Sequence, residues 1–498
     1  MTIILYKCNI LCSLDINLLY DKIIKAYYKA KGLDMNQKKQ LLKNTIIIAI
    51  GRLSTQVISF LLLPLYTSKL STEQYGIYDF LVTWSIFLLP IITLLMEESM
   101  FRFLIDAEGT KEKKQIITST VLYTTFGTVI FSIIAVILLS IIKYKYALVF
   151  ILFIISNILL GLSNSLSRGT GNIKLYSLSN FILGVSTIIL NIIFILAFKL
   201  GATGLLWANT IANSLTAITM LYILKMHKYV NRKYISRKVL NKMVRYSIPL
   251  VPNNLSWVII SLSDRVMLTH IMGASANGIY SIANKFPNII HTCYGFFSTA
   301  WNESAAKIVK EENKSKYYNS IYKDVKVFLK AIVLGLIAIM PFAFKILVNE
   351  SYADAYYYIP ILAVAIYYTS MSNFYGGIFT AYKQTNVMGT TTLVAAIINV
   401  LINLIFIPIW GIYVAAFSTL ISNWIIYIYR RLKLRNYIKL REKFNLVYWL
   451  LLIVTLITYY INNIIINAFV FVIVLIYCIY TNKDFLLTTL NNLKRKED

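Results

Sequence analysis

Charge is scarce in this 498-residue chain: only 14% of its residues are Asp, Glu, Lys or Arg, where a water-soluble domain carries roughly a quarter. A chain so poor in charge and 58% hydrophobic is excluded from the ordinary soluble proteins. Histidines number 3 and cysteines 4. Cys8, Cys12, Cys293 and Cys478 lack paired metal-ligand spacing and nearby histidines, so neither a zinc site nor a disulfide framework is expected. No cofactor or metal is indicated. No P-loop-type glycine loop is present either, which excludes nucleotide hydrolysis by the chain itself.

Apolar runs fill the space that charge vacates. Runs of about 18 to 25 residues recur along nearly the whole length, each able to cross a hydrocarbon core roughly 30 Å thick as a helix. Windows broken at charge clusters predict spans at 43–67, 77–98, 115–141, 146–166, 177–198, 201–224, 246–270, 278–301, 326–348, 359–382, 389–409, 411–430, 445–461 and 465–480. The expected fold is an all-α polytopic membrane protein of about fourteen transmembrane helices.

The formal net charge of +28 would suggest nucleic-acid binding in a soluble protein, but in a membrane protein its location decides its meaning. Loops after even-numbered spans hold Arg102, Lys111, Lys113 and Lys114, eight basic residues from Lys225 to Arg245, and the runs 307–323 and 430–443. Opposite loops offer Lys69, Lys143, Lys145 and Lys199, with Arg265 near a helix end. This asymmetry predicts cytoplasmic termini, an even number of spans and no nucleic-acid partner. Residues 1–34 lack a long apolar stretch and a small-residue cleavage site. Met35 is the expected translation start, the alternative for 1–34 being an amphipathic interfacial helix.

The chain also repeats itself. Leu53 to Phe80, LSTQVISFLLLPLYTSKLSTEQYGIYDF, aligns without gaps to Leu255 to Ile282, LSWVIISLSDRVMLTHIMGASANGIYSI. A second echo pairs Asn191-Ile-Ile-Phe-Ile with Asn403-Leu-Ile-Phe-Ile, each before a glycine-led helix. Together they set spans 1–6 against spans 7–12 in the same orientation, a duplication of the kind that builds two-lobed transporters. The predicted organisation is an extension (1–34), an N-lobe (35–224), a basic linker (225–245), a C-lobe (246–430), two added helices (431–480) and a tail (481–498).

The segments LLLPLYTSKLSTEQYGIYDF, EESMFRFL and SDRVMLTHIMGASANGIYSIANKF resemble the polysaccharide repeat-unit flippases of the multidrug, oligosaccharidyl-lipid and polysaccharide exporter superfamily. The resemblance covers about residues 36–480. It implies a V-shaped pair of lobes around a cavity. An undecaprenyl-pyrophosphate-linked oligosaccharide would enter that cavity from the cytoplasmic leaflet and leave on the outer leaflet of a bacterial cytoplasmic membrane. The polymer would be O antigen of lipopolysaccharide, or capsule. Membrane lipids, a polysaccharide polymerase and chain-length proteins are the partners it suggests, and the two added helices resemble a groove for the lipid tail.

Ionisable groups inside spans are functional candidates by default, because each costs a few kcal/mol to insert. A pyrophosphate cargo calls for cations, which nominates Arg52, Arg265 and Lys285 as substrate-binding residues. The competing reading is structural: Arg52 paired with Glu98, and Asp264 with Lys285. Gln56, Asn253 and Asn254 are polar candidates for the cavity wall. Asp79, Glu98, Asp264 and His291 are candidates for ion coupling or pairing, with proton, sodium and membrane potential all open as driving force. Pro249 and Pro252 are the expected hinge. Lys330 and Lys345, near helix ends, are expected to snorkel. Rival functions are a membrane polysaccharide polymerase or glycosyltransferase, disfavoured by short external loops, and a multidrug or small-solute exporter, expected to have an acidic cavity. No catalytic residue is expected.

Overall fold

The computed structural model describes residues 60, 62–309, 311–382, 384–441 and 445–483. The described residues are helical throughout their regular structure: α1 (Leu63–Lys69), α2 (Thr72–Thr93), α3 (Met96–Asp106), α4 (Thr110–Ile141), α5 (Ala147–Gly169), α6 (Ile173–Ile192), α7 (Gly201–Ile223) and α8 (Arg237–Ser247). They continue as α9 (Leu250–Met272), α10 (Ala274–Ile308), α11 (Lys314–Leu347), α12 (Ala355–Ala381), α13 (Thr385–Trp410), α14 (Ile412–Leu434), α15 (Leu446–Ile461) and α16 (Ile464–Thr481). Each predicted span from the second onward falls on one of these helices. Of the first, only the end in α1 is described. Eight helices are long and apolar enough to cross a membrane, or nine if 237–256 and 258–272, bent by 45°, count as one.

Large apolar side chains stay exposed along the flanks, as on α4 at Ile133, Ile134, Ile137 and Leu138. Such a surface suits lipid and not water. Inside, small and hydroxylated residues let helices approach closely: Ala208, Ala212, Thr216 and Ala217 are buried on α7, and Ser and Thr hydroxyls bond back to carbonyls of the preceding turn, as Thr210 does to Leu206. Helices α5, α6 and α7 pack together in the first half, while α9, α10, α12, α13 and α14 form the second. The added helices α15 and α16 lie against α11.

Three features depart from the sequence reading. The second predicted span ran to 98, but the helix stops at Thr93. Leu94 and Leu95 both take left-handed backbone conformations, φ 46° and 53°, and a separate helix, α3, starts at Met96. Hydropathy is blind to such a break, since leucine signals nothing against a helix; the strain is borne by surrounding packing, with Leu95 and Met96 buried. Within the linker 225–245 lies α8, whose Arg237, Lys238, Lys242 and Arg245 are exposed while Met243 is buried against the first half. Ser99 Oγ donates to the Met243 carbonyl at 3.1 Å, fastening α8 to α3. Lys330 does not snorkel: it is 8% exposed, with its Nζ 4.2 Å from the Tyr448 ring centre and 5.2 Å from that of Trp449. Aromatic faces of α15 shelter the ammonium there. Lys345 is exposed, as expected of a helix end.

The halves meet through α2, which packs on both α9 and α10. Leu62 to Tyr75 join the core of the second half, whereas from Leu81 onward α2 belongs to the core of the first. A single element thus serves both lobes.

Candidate functional site

The lobe contact is built on the internal repeat. Gly76 and Gly278, equivalent in the alignment, face each other where α2 crosses α10: a Cβ on Gly76 would overlap the Ala274 carbonyl oxygen, and one on Gly278 that of Thr72. Thr72 and Ala274 are themselves repeat equivalents, so the crossing obeys the pseudo-twofold axis. Glycine is required on both sides by backbone proximity. Hydrogen bonds reinforce the crossing: Thr72 Oγ1 to Ser275 Oγ at 2.6 Å, and Asn277 Nδ2 to the Gly76 carbonyl at 2.8 Å. Beside it, Tyr352 Oη donates to the Leu70 and Ser71 carbonyls at 3.1 and 2.8 Å, and the Asn349 amide donates to Thr67 Oγ1 at 3.2 Å. This is the bundle end poor in basic residues, and here the lobes are closed.

One helical turn from Gly76, Asp79 reaches across the lobes. Its Oδ2 accepts from Arg265 Nε at 2.7 Å, with the two side chains 16% and 13% exposed. Arg265 Nη1 donates to Ser261, to its carbonyl at 3.1 Å and its Oγ at 2.8 Å. Among the described residues Nη2 makes no hydrogen bond, leaving part of the guanidinium fork open. Lys285, on α10, is half-buried and has no ion-pair partner among the described residues. It acts electrostatically on the Tyr78 hydroxyl, which also feels Asp79 and accepts from Asn209 Nδ2 at 3.3 Å. Two cations therefore stand at the lobe junction: Arg265, bonded to Asp79 and next to the Asp264 carboxylate, and Lys285, which has no ion-pair partner among the described residues and can attract an anion.

A second polar site lies within the C-lobe. Asp264, 2% exposed, accepts four hydrogen bonds: from Tyr280 Oη at 2.8 Å, Thr419 Oγ1 at 2.6 Å, and the Nδ2 atoms of Asn399 and Asn403 at 3.2 and 2.6 Å. Helices α9, α10, α13 and α14 thus converge on one carboxylate. Its donors are all neutral, so the alternative pairing with Lys285 is not formed. Asn403 Oδ1 is buried with no hydrogen-bond partner, an oxygen left over beside a carboxylate.

Other predicted positions scatter. Arg52 and Gln56 lie outside the described residues. Glu98, in the first turn of α3, is exposed and 3.9 Å from Arg168, whose guanidinium stacks on Phe101 with 4.1 Å to the ring centre. His291 is exposed on α10. Pro249 caps the start of α9 and Pro252 sits in its first turn, at the junction of α8 and α9. A 45° bend follows one turn beyond Pro252, between 256 and 258. Asn253 and Asn254 lie in the first turn of α9, Asn254 exposed. Sequence reasoning missed Tyr280, Asn399, Asn403 and Thr419, although Tyr280 and Asn403 both lay inside the repeat echoes. Among the described residues no group of three or more His, Cys, Asp or Glu could hold a metal.

Residues 41–302, just over half of the chain, match the polysaccharide biosynthesis protein family. The chain belongs to that family. No curated protein matches it in sequence. This family member also shares its fold with solved transporters. A structure described as the lipid II flippase MurJ in an inward closed conformation superposes with a TM-score of 0.69 at 14% identity, covering 89% of this chain and 100% of that one. An inward-facing multidrug resistance MATE family transporter of the MOP superfamily gives 0.59 at 16% identity, covering 78% and 98%. A MOP superfamily transporter from Pyrococcus furiosus, described as having a binding pocket of reverse polarity, gives 0.55 at 16% identity, covering 80% and 96%. The polysaccharide biosynthesis family member therefore has the polytopic flippase and transporter fold.

Proposed function

We propose that this protein translocates an undecaprenyl-pyrophosphate-linked oligosaccharide from the cytoplasmic to the outer leaflet of the bacterial cytoplasmic membrane, for O-antigen or capsule synthesis. One observation carries the reading: the lobe junction holds two cations, of which Lys285 has no ion-pair partner among the described residues and Arg265 leaves its Nη2 without a hydrogen bond among them. A sugar pyrophosphate is the anionic cargo expected of a polysaccharide biosynthesis transporter. Cations at the junction, Lys285 above all, disfavour export of cationic drugs. With the basic loops placed in the cytoplasm, the Gly76–Gly278 crossing closes the outer side.

Asp264 is the coupling site in this proposal. Its carboxylate oxygens and the spare Oδ1 of Asn403 together would take a proton or a small monovalent cation, whose arrival relieves the cost of a buried negative charge. The test is reconstitution into vesicles carrying fluorescently labelled undecaprenyl-pyrophosphate oligosaccharide in one leaflet, scored by quenching with an impermeant reductant. Movement between leaflets that depends on Lys285 and Arg265 is the expected result. Vesicles in which the label never changes leaflet, with correctly folded protein, overturn the proposal.

A further inference from the structure

Asp79 has no part in holding an anion, since its carboxylate repels one, yet it takes the Nε donor of Arg265 at 2.7 Å. We infer that Asp79 is the counter-ion which a phosphate of the cargo displaces, so that loading of the site releases the bond between the lobes. The inference rests on the anionic cargo proposed above.

Three observations lead there. The Asp79–Arg265 pair joins α2 to α9, hence one lobe to the other, and Asp79 stands one turn from the glycine crossing that closes the bundle end. The contact is single: Asp79 Oδ2 meets Nε alone, Asp79 Oδ1 accepts nothing among the described residues, and Arg265 Nη2 is uncommitted. A phosphate with several oxygens could dock first on Nη2 and then take Nε, an exchange in steps with no stage at which the guanidinium stands bare. Finally, Lys285 lies within electrostatic reach of Tyr78, as Asp79 does, and adds a charge that attracts the cargo but does nothing for the lobe bond. Arg265 thus takes either the lobe bond or the cargo. Without cargo, the lobes stay latched; with it, the latch is spent on the phosphate and opening at the crossing becomes easier.

The experiment places spin labels at Ser68→Cys and Ser351→Cys, exposed positions on either side of the closed end, in protein whose native cysteines are replaced, and reads their separation in lipid nanodiscs. Inorganic pyrophosphate is the probe, and its binding is measured separately by calorimetry. Wild-type protein should show one short distance that moves to longer values with pyrophosphate. Asp79→Asn should show the longer distances without pyrophosphate and respond no further. The double exchange Asp79→Arg with Arg265→Asp should restore the short distance, a rescue that also shows the variants fold. Pyrophosphate that binds, about tenfold more weakly in Lys285→Gln as one lost charge-assisted contact predicts, while the wild-type distance stays fixed would overturn the exchange and leave the anionic site standing. A short distance in Asp79→Asn would equally overturn it. No binding of pyrophosphate at all would remove both the exchange and the anionic cargo.

Discussion

Asn191 in the first half and Asn403 in the second occupy matching places before a glycine-led helix, and both are fully buried, yet they face different partners. Asn191 Nδ2 donates to the Tyr66 hydroxyl at 3.0 Å, whereas Asn403 Nδ2 donates to the Asp264 carboxylate at 2.6 Å. In both, Oδ1 is left without a partner. The duplicated scaffold therefore supplies the same amide twice, and the halves diverge in what it meets: a neutral hydroxyl in one, a charge gathered from four helices in the other. A neutral pair can only hold helices together. A buried carboxylate can also change its occupancy, so the C-lobe is the half equipped to respond to an ion.

The largest effect that would sharpen this contrast is expected at Asp264. Asp264→Asn keeps the volume and removes the charge, and should abolish surface polysaccharide in a complementation assay while immunoblotting finds the protein in the membrane; normal polymer would erase the distinction between the halves. Next comes the place where the halves are alike. Gly76→Leu or Gly278→Leu should each force the crossing apart, overpacking of this kind costing about 1–3 kcal/mol, and should prevent the disulfide that a Thr72→Cys, Ser275→Cys pair otherwise forms under mild oxidation. Equal loss from either glycine would verify the pseudo-symmetry. A smaller change is expected at the neutral counterpart: Tyr66→Phe removes one hydrogen bond worth about 1 kcal/mol, lowering the thermal midpoint in detergent without altering transport. The smallest is Gly335→Ala, in the middle of α11 with open space around its Cα. Up to about 1 kcal/mol of helix propensity should then appear as a slightly higher midpoint.

Much of the fold was legible because bilayer thickness and hydrogen-bond satisfaction leave an apolar chain few options. Apolar runs marked the helices, and the repeated Gly-Ile-Tyr marked the pair α2 and α10 that later proved to touch. The break at Leu94–Leu95 was illegible, as leucine has no turn signature. The site was read in part. Charge in a span singled out Asp79, Asp264, Arg265 and Lys285, but their partners come from helices far apart in sequence, and the obvious local pairing of Asp264 with Lys285 lost to four neutral donors and a cross-lobe bond. Asn399 and Thr419 carry no charge to draw attention, so nothing short of packing could have placed them beside Asp264.

By itself the sequence determined the solvent, the helices and the duplication, since hydropathy and self-similarity are local properties that need no partner to be read. Only the tertiary structure decided that Arg265 bonds Asp79 and that two glycines meet at the lobe crossing. Those depend on which faces of distant helices come together, and a one-dimensional pattern does not specify that.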